Sequence, residues 1–218
     1  MDWTDPQRVQ MFRERAPDIH LLALLPSLTH NRTITALDLG CAAGRNTAAL
    51  LSHGARTFAL DNSPAMLAAA AEAILSMQPS VAPGAVLVRG SMTALPYRAA
   101  SFDLIVALGI YHQARSDSEL IQSVGETRRA LRADGVLLVS IFSTEMLPSG
   151  SERVPGERFF YATPTGGRVC RLSEHELTAL FAAAGLALRR PVEIRRAAME
   201  TGERVTHVGL FGPAPIHG

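Results

Sequence analysis

The chain has 218 residues, 47% of them hydrophobic, which is enough to bury one substantial core, and its 21 Lys and Arg against 20 Asp and Glu leave it nearly neutral. That balance supplies no field to draw it to nucleic acid or an anionic membrane, and Cys41 and Cys170 stand far apart without the spacing of a zinc site or a disulfide framework. With no basic flank followed by an apolar core at the start and no apolar run of about 18 residues, the expectation is one cytoplasmic domain over 1–218, without a membrane or nucleic-acid partner.

In chain order, Asp5 and Pro6 can start a helix, and Val9, Phe12, Ile19, Leu22 and Leu25 recur at roughly helical spacing, with Pro17 dividing the segment. Residues 1–34 therefore read as a helical element with two open roles, packing on a sheet edge or covering a pocket as a lid. Beyond it, short apolar runs alternate with segments of helical period, the pattern of an α/β protein with a mainly parallel sheet. Strands are expected at 35–39, 56–60, 85–88, 102–108 and 136–142, the last introduced by the Asp134-Gly135 turn. Helices are expected from Arg45 to about residue 53, from the Ser63 cap and Pro64 to about 77, and over about 116–131. Ser173 and Glu176 have capping-box spacing and predict a helix to Ala184 that stops at Gly185. Two last runs, 186–190 and 204–211, are expected to close the sheet as a hairpin pair.

The most informative segment joins the first strand to its helix: Asp38, Leu39, Gly40, Cys41, Ala42, Ala43 and Gly44. Small residues at such a turn let backbone N–H groups approach a ligand at the strand's C-terminal end, where open α/β sheets bind. Asp61 ends the second strand 21 residues after Gly40, the distance at which a carboxylate reaches a ribose held over the turn. Charge-assisted bonds of this kind are worth roughly 1.5–3 kcal/mol each before desolvation is counted. A dinucleotide site would want glycine at the sixth position of the turn, where Arg45 stands, and a phosphate-binding P-loop would need Gly-Lys-Ser/Thr, which is absent. An adenosyl ligand without a pyrophosphate fits better than either.

On these residues the sequence resembles the class I S-adenosylmethionine-dependent methyltransferases: Leu37 to Gly44 is similar to the family's first motif, Ala59 to Met66 to its second-strand motif, and Ser101 to Val106 to its fourth strand. The resemblance implies a Rossmann-like fold, a mainly parallel seven-stranded sheet with an antiparallel C-terminal strand and helices on both faces. It implies S-adenosylmethionine as cofactor, with S-adenosylhomocysteine as product. The cofactor-binding set would be Asp38, Gly40, Ala42, Gly44 and Arg45 along the methionine end, Asp61 on the ribose, Asn62, Ser91 and Met92 around the adenine, and Leu108 after the fourth strand. The arginine after the last glycine resembles the small-molecule and tellurite-type version of the motif and is the candidate for the methionine carboxylate. Two departures stand out: Ala42 replaces the usual middle glycine, and Ser91 replaces an acidic residue.

Methyl transfer needs alignment, a dry pocket and a correctly protonated acceptor. His112 and Tyr111, beside the expected sulfonium position, are the candidate catalytic residues, His112 as general base or as a structural histidine, Tyr111 orienting the acceptor. The segment 143–172 reads as a substrate-specificity insertion in which Arg153, Arg158, Arg168 and Arg171 lie among Phe159, Phe160 and Tyr161. Arg158, Tyr161 and Arg168, with Tyr111 and His112, are expected to bind substrate, although Glu152 and Glu157 could equally neutralise those arginines as surface pairs. Cys170 reads as a small buried residue. Arg189-Arg190 and Arg195-Arg196 read as solvated edge positions, and no His or carboxylate spacing predicts a metal. The expected function is methyl transfer to a small-molecule acceptor by a monomer or homodimer. A non-catalytic adenosyl-binding protein and, more remotely, a nicotinamide-dependent oxidoreductase are the alternatives.

Overall fold

The computed structural model describes residues 2–77, 85–164, 166–199 and 202–215. Two helices, α1 (Pro6–Arg13) and α2 (Ile19–Thr29), precede β1 (Thr35–Leu39), α3 (Arg45–Ser52), β2 (Arg56–Asp61), α4 (Pro64–Leu75), β3 (Val86–Arg89) and β4 (Phe102–Leu108). A short 3-10 turn (Tyr111–Gln113), α5 (Asp117–Ala130) and β5 (Leu131–Phe142) follow, then three short strands, β6 (Glu152–Arg153), β7 (Phe160–Ala162) and β8 (Arg168–Cys170). The chain ends with α6 (Glu174–Ala183), β9 (Leu186–Leu188), β10 (Glu193–Met199) and β11 (Gly202–Pro213).

The caps at Ser63 and Ser173 form as the sequence predicts, and Ser116 adds a third. Ser63 accepts from the Met66 N–H, Ser116 from the Glu119 N–H, and Ser173 with Glu176 makes a reciprocal capping box. Pro17 separates α1 from α2, and Asp5 and Asp18 cap them.

The main sheet runs β10-β11-β5-β4-β1-β2-β3, with β9 paired to the far end of β11. Pairs among β1 to β5 are parallel and those of β11 with β5, β9 and β10 are antiparallel. Its central strands are apolar on both sides because each face has its own cover. Leu37, Leu39, Ile105, Leu137 and Val139 pack with Val124 of α5 and Phe181 of α6. Ala36, Leu104, Val106 and Leu138 pack with Leu21 and Leu25 of α2 and Leu50 of α3. The chain turns from β1 toward β2 and β3, then crosses back to β4, so a crevice opens at the carboxyl ends of β1 and β4.

Two expectations at the sheet's antiparallel end are corrected. The hairpin partner of β11 is β10, not the 186–190 run, which contributes only the three-residue β9. β10 carries Arg195 and Arg196 in mid-strand, and these hide its alternation. β5 begins at Leu131, ahead of the Asp134-Gly135 turn, through a register shift between Phe102 and Leu104. The 143–172 segment folds as the small antiparallel sheet β6-β7-β8.

Candidate active site

The turn after β1 is built from backbone that side chains would spoil. Gly40 takes φ +76°, and a Cβ there would lie 2.8 Å from the Cδ1 of Ile110; Gly44 takes φ +83° ahead of α3, with a Cβ only 3.0 Å from that of Ala70. Both the conformation and the space call for glycine. The N–H groups of Gly40 and Cys41 donate to the Leu60 carbonyl at 2.7 and 3.1 Å, tying the turn to the end of β2. Ala42 adopts φ 47°, a left-handed conformation that costs an L-residue about 1–2 kcal/mol. Its N–H donates to Asp61 Oδ2 at 2.9 Å, which holds the strained residue in place.

Asp61 is the pivot of this flank. Burial pushes its carboxyl up, while the N–H groups of Ser63 and Ala42 pull it back down. No ion pair neutralises it among the described residues. Its remaining lone pairs belong to a side chain that lines a 770 Å³ cavity, which extends from Gly40, Ala42, Arg45 and Asn62 past Leu108 and His112 to Phe142, Arg168 and Thr206. Trp3, Met11 and Phe12 line it from the N-terminal segment. That segment is tied down where Ser63 Oγ donates to the Trp3 carbonyl (3.1 Å), Arg13 pairs with Glu72 (2.6 Å) and Arg45 Nη1 donates to the Ala16 carbonyl (2.8 Å).

Several expected site residues lie elsewhere. Tyr111 is corrected from substrate contact to core: it is fully buried, its hydroxyl lies 2.7 Å from Thr127 Oγ1, and its ring packs edge-on against Phe181. Burial pushes that phenol well above its usual range. The anchor turns the next residue, His112, toward the cavity, and Gly109 at φ +82° brings the loop in close. Asp38 lies beneath the turn, not in the cavity lining, with its carboxylate accepting from Thr47 Oγ1 at 2.6 Å; burial pushes it up to about 6 and the threonine pulls against that. Gly44 packs on α4, Met92 joins the core, and Ser91 pairs with Thr93 Oγ1 at 2.7 Å, so these three do not line the cavity either.

In the 143–172 segment only Arg168 of the three expected binders faces the cavity, and it is paired with Glu157 at 3.1 Å. Arg158 stacks exposed over Phe159, and the Tyr161 hydroxyl accepts from Arg153 at 2.8 Å. Surface pairing accounts for much of this arginine cluster. Cys170 also lines the cavity, and burial pushes its thiol up to about 12, which leaves it protonated and inert.

His112 stacks on Phe142 with ring centroids 3.9 Å apart, and its Nδ1 is buried without a hydrogen-bond partner among the described residues. Burial, then the charges of Arg204 and Arg171, push it down to about 3. The imidazole is neutral throughout the physiological range, with a conjugate acid too strong for efficient proton abstraction.

The sequence reading missed Arg15, Arg195 and Arg204, which all line the cavity. Arg195 was expected at a solvated edge; instead it pairs with buried Asp18 at 3.0 Å and faces the site. The alternation Arg204, Thr206, Val208 was the available signal, since all three lie on the cavity face of β11.

Residues 37–139 match the family described as a methyltransferase domain. No curated protein matches the chain. Among solved structures it is similar to the CcbJ methyltransferase of Streptomyces caelestis, at 18% identity and TM-score 0.70 over 98% of both chains. It is similar to the Burkholderia thailandensis 1,6-didemethyltoxoflavin-N1-methyltransferase, solved with 1,6-didemethyltoxoflavin and S-adenosylhomocysteine, at 22% identity and TM-score 0.69 over 98% of this chain and 84% of that one. A Methanosarcina mazei S-adenosylmethionine-dependent methyltransferase aligns at 18% identity and TM-score 0.67 over 84% and 93% of the two chains. At these identities the structures establish the fold, the Rossmann-like fold of class I methyltransferases, and the match to the methyltransferase-domain family spans the glycine turn, Asp61 and β4.

Proposed function

We propose that the chain transfers the methyl group of S-adenosylmethionine to a small-molecule acceptor held between His112, Phe142, Arg168 and Thr206. The observation that carries this reading is one continuous cavity that joins the glycine turn and Asp61 to His112, Phe142 and Thr206. Its 770 Å³ falls within the roughly 300–1,000 Å³ of small-ligand sites, and α1 lines one side of it through Arg8, Met11 and Phe12. Residues 3–18 thus act as the lid, while α2 packs on the sheet face, and the β6-β7-β8 segment forms a further wall.

The residues suit the cofactor. Asp61, free of any cationic partner among the described residues, accepts from the ribose hydroxyls, and Asn62 borders the adenine. The turn from Gly40 to Ala42 flanks the methionine end. Arg45, with Nη1 committed to Ala16, has further N–H groups for the carboxylate. When bound, the sulfonium supplies an electrophilic methyl group for in-line displacement. The protein's own part is positioning: Phe142 and Phe160 exclude water, and neutral His112 presents a lone pair that orients an acceptor O–H or N–H.

Calorimetry with S-adenosylmethionine and S-adenosylhomocysteine tests the site, and no binding at millimolar ligand would remove the reading. A chain that binds both and turns over no member of a broad small-molecule panel would favour a binding role instead. Among the described residues no helix is long and apolar enough to cross a membrane.

A further inference from the structure

We propose that the acceptor is a small acid whose oxyanion sits on Arg204, with Arg15 and Arg195 beside it. This rests on the reading of the cavity as the transfer site. Arg204 begins the cavity-facing alternation of β11 and is only partly exposed, yet its side chain makes no hydrogen bond or ion pair among the described residues. An arginine cannot shed its proton to escape burial, so a guanidinium left without a partner inside a cavity is costly unless a ligand completes it.

The neighbours sharpen the point. In the β10–β11 register Ala197 faces Arg204 and Arg195 faces Thr206, so Arg195 sits diagonally from Arg204 on the same face. Arg15, from the segment between α1 and α2, lies over the Phe12 ring at 4.5 Å and has no carboxylate partner among the described residues. The whole lining holds seven arginines against two acids, Asp18 and Asp61. Asp18 is committed to Arg195, and a sulfonium cofactor adds positive charge rather than removing it. Such a cavity repels cations and rewards an anion, and the planar guanidinium fork matches a carboxylate in two parallel bonds. Phe142, Phe160 and Val208 line the same space and offer an apolar surface for the acid's body.

The cofactor's own carboxylate does not account for this group. Arg45 stands at the glycine turn for that contact; Arg204 and Arg195 are near enough to repel its charge, but they enter the cavity from β11 and β10, which β5 and β4 separate from β1. Arg204 instead lies close enough to His112 to depress its protonation, which puts the oxyanion subsite on the acceptor side.

The test uses the full chain saturated with S-adenosylhomocysteine. Benzoate and 4-hydroxybenzoate should raise the thermal midpoint, and benzamide and 4-hydroxybenzamide should not. Arg204→Gln should weaken binding of the acids by about tenfold or more, as loss of a charge-assisted bond requires. Arg204→Lys should recover part of it, and the affinity for S-adenosylhomocysteine should be unchanged in both variants. Equal response to acids and amides, or acid binding unaltered in Arg204→Gln, would overturn the proposal. Failure of the wild-type chain to bind S-adenosylhomocysteine would overturn the underlying transfer-site reading with it, and calorimetry with the cofactor alone tells the two failures apart.

Discussion

The two flanks of the cavity are built in different ways. The flank at β1 and β2 is local, made within residues 40–62, and its contacts come mostly from backbone, left-handed turn residues and one carboxylate. The flank at β5, β10 and β11 is assembled from five stretches, around residues 3–18, 108–115, 140–142, 160–170 and 195–208, and works through side chains. A backbone turn bound to a fixed chemical group tolerates little change. A wall of side chains on separate strands can be exchanged one residue at a time, which is what a fold serving many acceptors needs.

The sharpest way to break this contrast is at Asp61. Asp61→Ala removes the acceptor for the ribose hydroxyls and for the Ala42 N–H together. At roughly 1.5–3 kcal/mol per charge-assisted bond, less the desolvation no longer incurred, it should weaken S-adenosylhomocysteine binding by about 100-fold. Calorimetry reads this directly, and unchanged affinity would refute the ribose placement. Acid binding through Arg204 should survive in whatever fraction of the variant is loaded, because among the described residues the Asp61 side chain hydrogen-bonds only to Ala42 and Ser63.

A smaller effect is expected at Tyr111, where the loop between the flanks is anchored. Tyr111→Phe deletes the hydroxyl beside Thr127 but leaves the ring against Phe181, so stability should fall by about 1 kcal/mol. Cofactor affinity should hold. A urea titration set beside calorimetry separates the two, and a large loss of cofactor affinity at full stability would return Tyr111 to the site.

Ala42→Gly works in the other direction. Relief of a left-handed alanine, about 1–2 kcal/mol, is offset in part by the extra freedom glycine has in the unfolded chain, leaving a net gain of about 0.5–1 kcal/mol. For a chain of this size that raises the thermal midpoint by about 1–4 °C. A lower midpoint would mean that the alanine methyl makes packing contacts outweighing its strain.

How much of this was legible in the sequence follows the same division. Strands 35–39 and 102–108, the Ser63 and Ser173 caps, and the spacing that brings Asp61 to the turn begun by Gly40 were readable because each is set by nearby sequence. β10 was not, because Arg195 and Arg196 give a polar pair where alternation was sought, and only its pairing with β11 makes it a strand. The same two arginines look alike in sequence. Arg195 is drawn inward by Asp18, which lies 177 positions earlier, while Arg196 stays outside with Glu203 and Glu145. Tyr111 misled for a related reason: it sits beside His112 in a loop whose course is decided by Thr127 and Phe181, partners that adjacency does not reveal.

A last expected effect lies at His112, and it concerns pH. Its ordinary value is 6.5 and the folded environment pushes it down to about 3, so the unfolded chain takes up this proton first as pH falls. His112 therefore removes stability between about pH 6.5 and 3. Asp38 has the opposite sign: raised from 3.8 to about 6, it binds its proton first in the folded state and adds stability as pH falls through that range. The two cancel over part of the acid limb. In His112→Gln the His112 loss is removed while the Asp38 contribution stays, so the urea midpoint should fall less than in the wild type between pH 6.5 and 4.5. Turnover should show the same neutrality: with no proton exchanged at His112 between pH 5.5 and 8, His112→Gln should lower kcat by one constant factor across that interval. A wild-type activity limb near pH 6.5 that vanishes in the variant would make His112 a general base after all, with the bound acid at Arg204 as the charge that raises it.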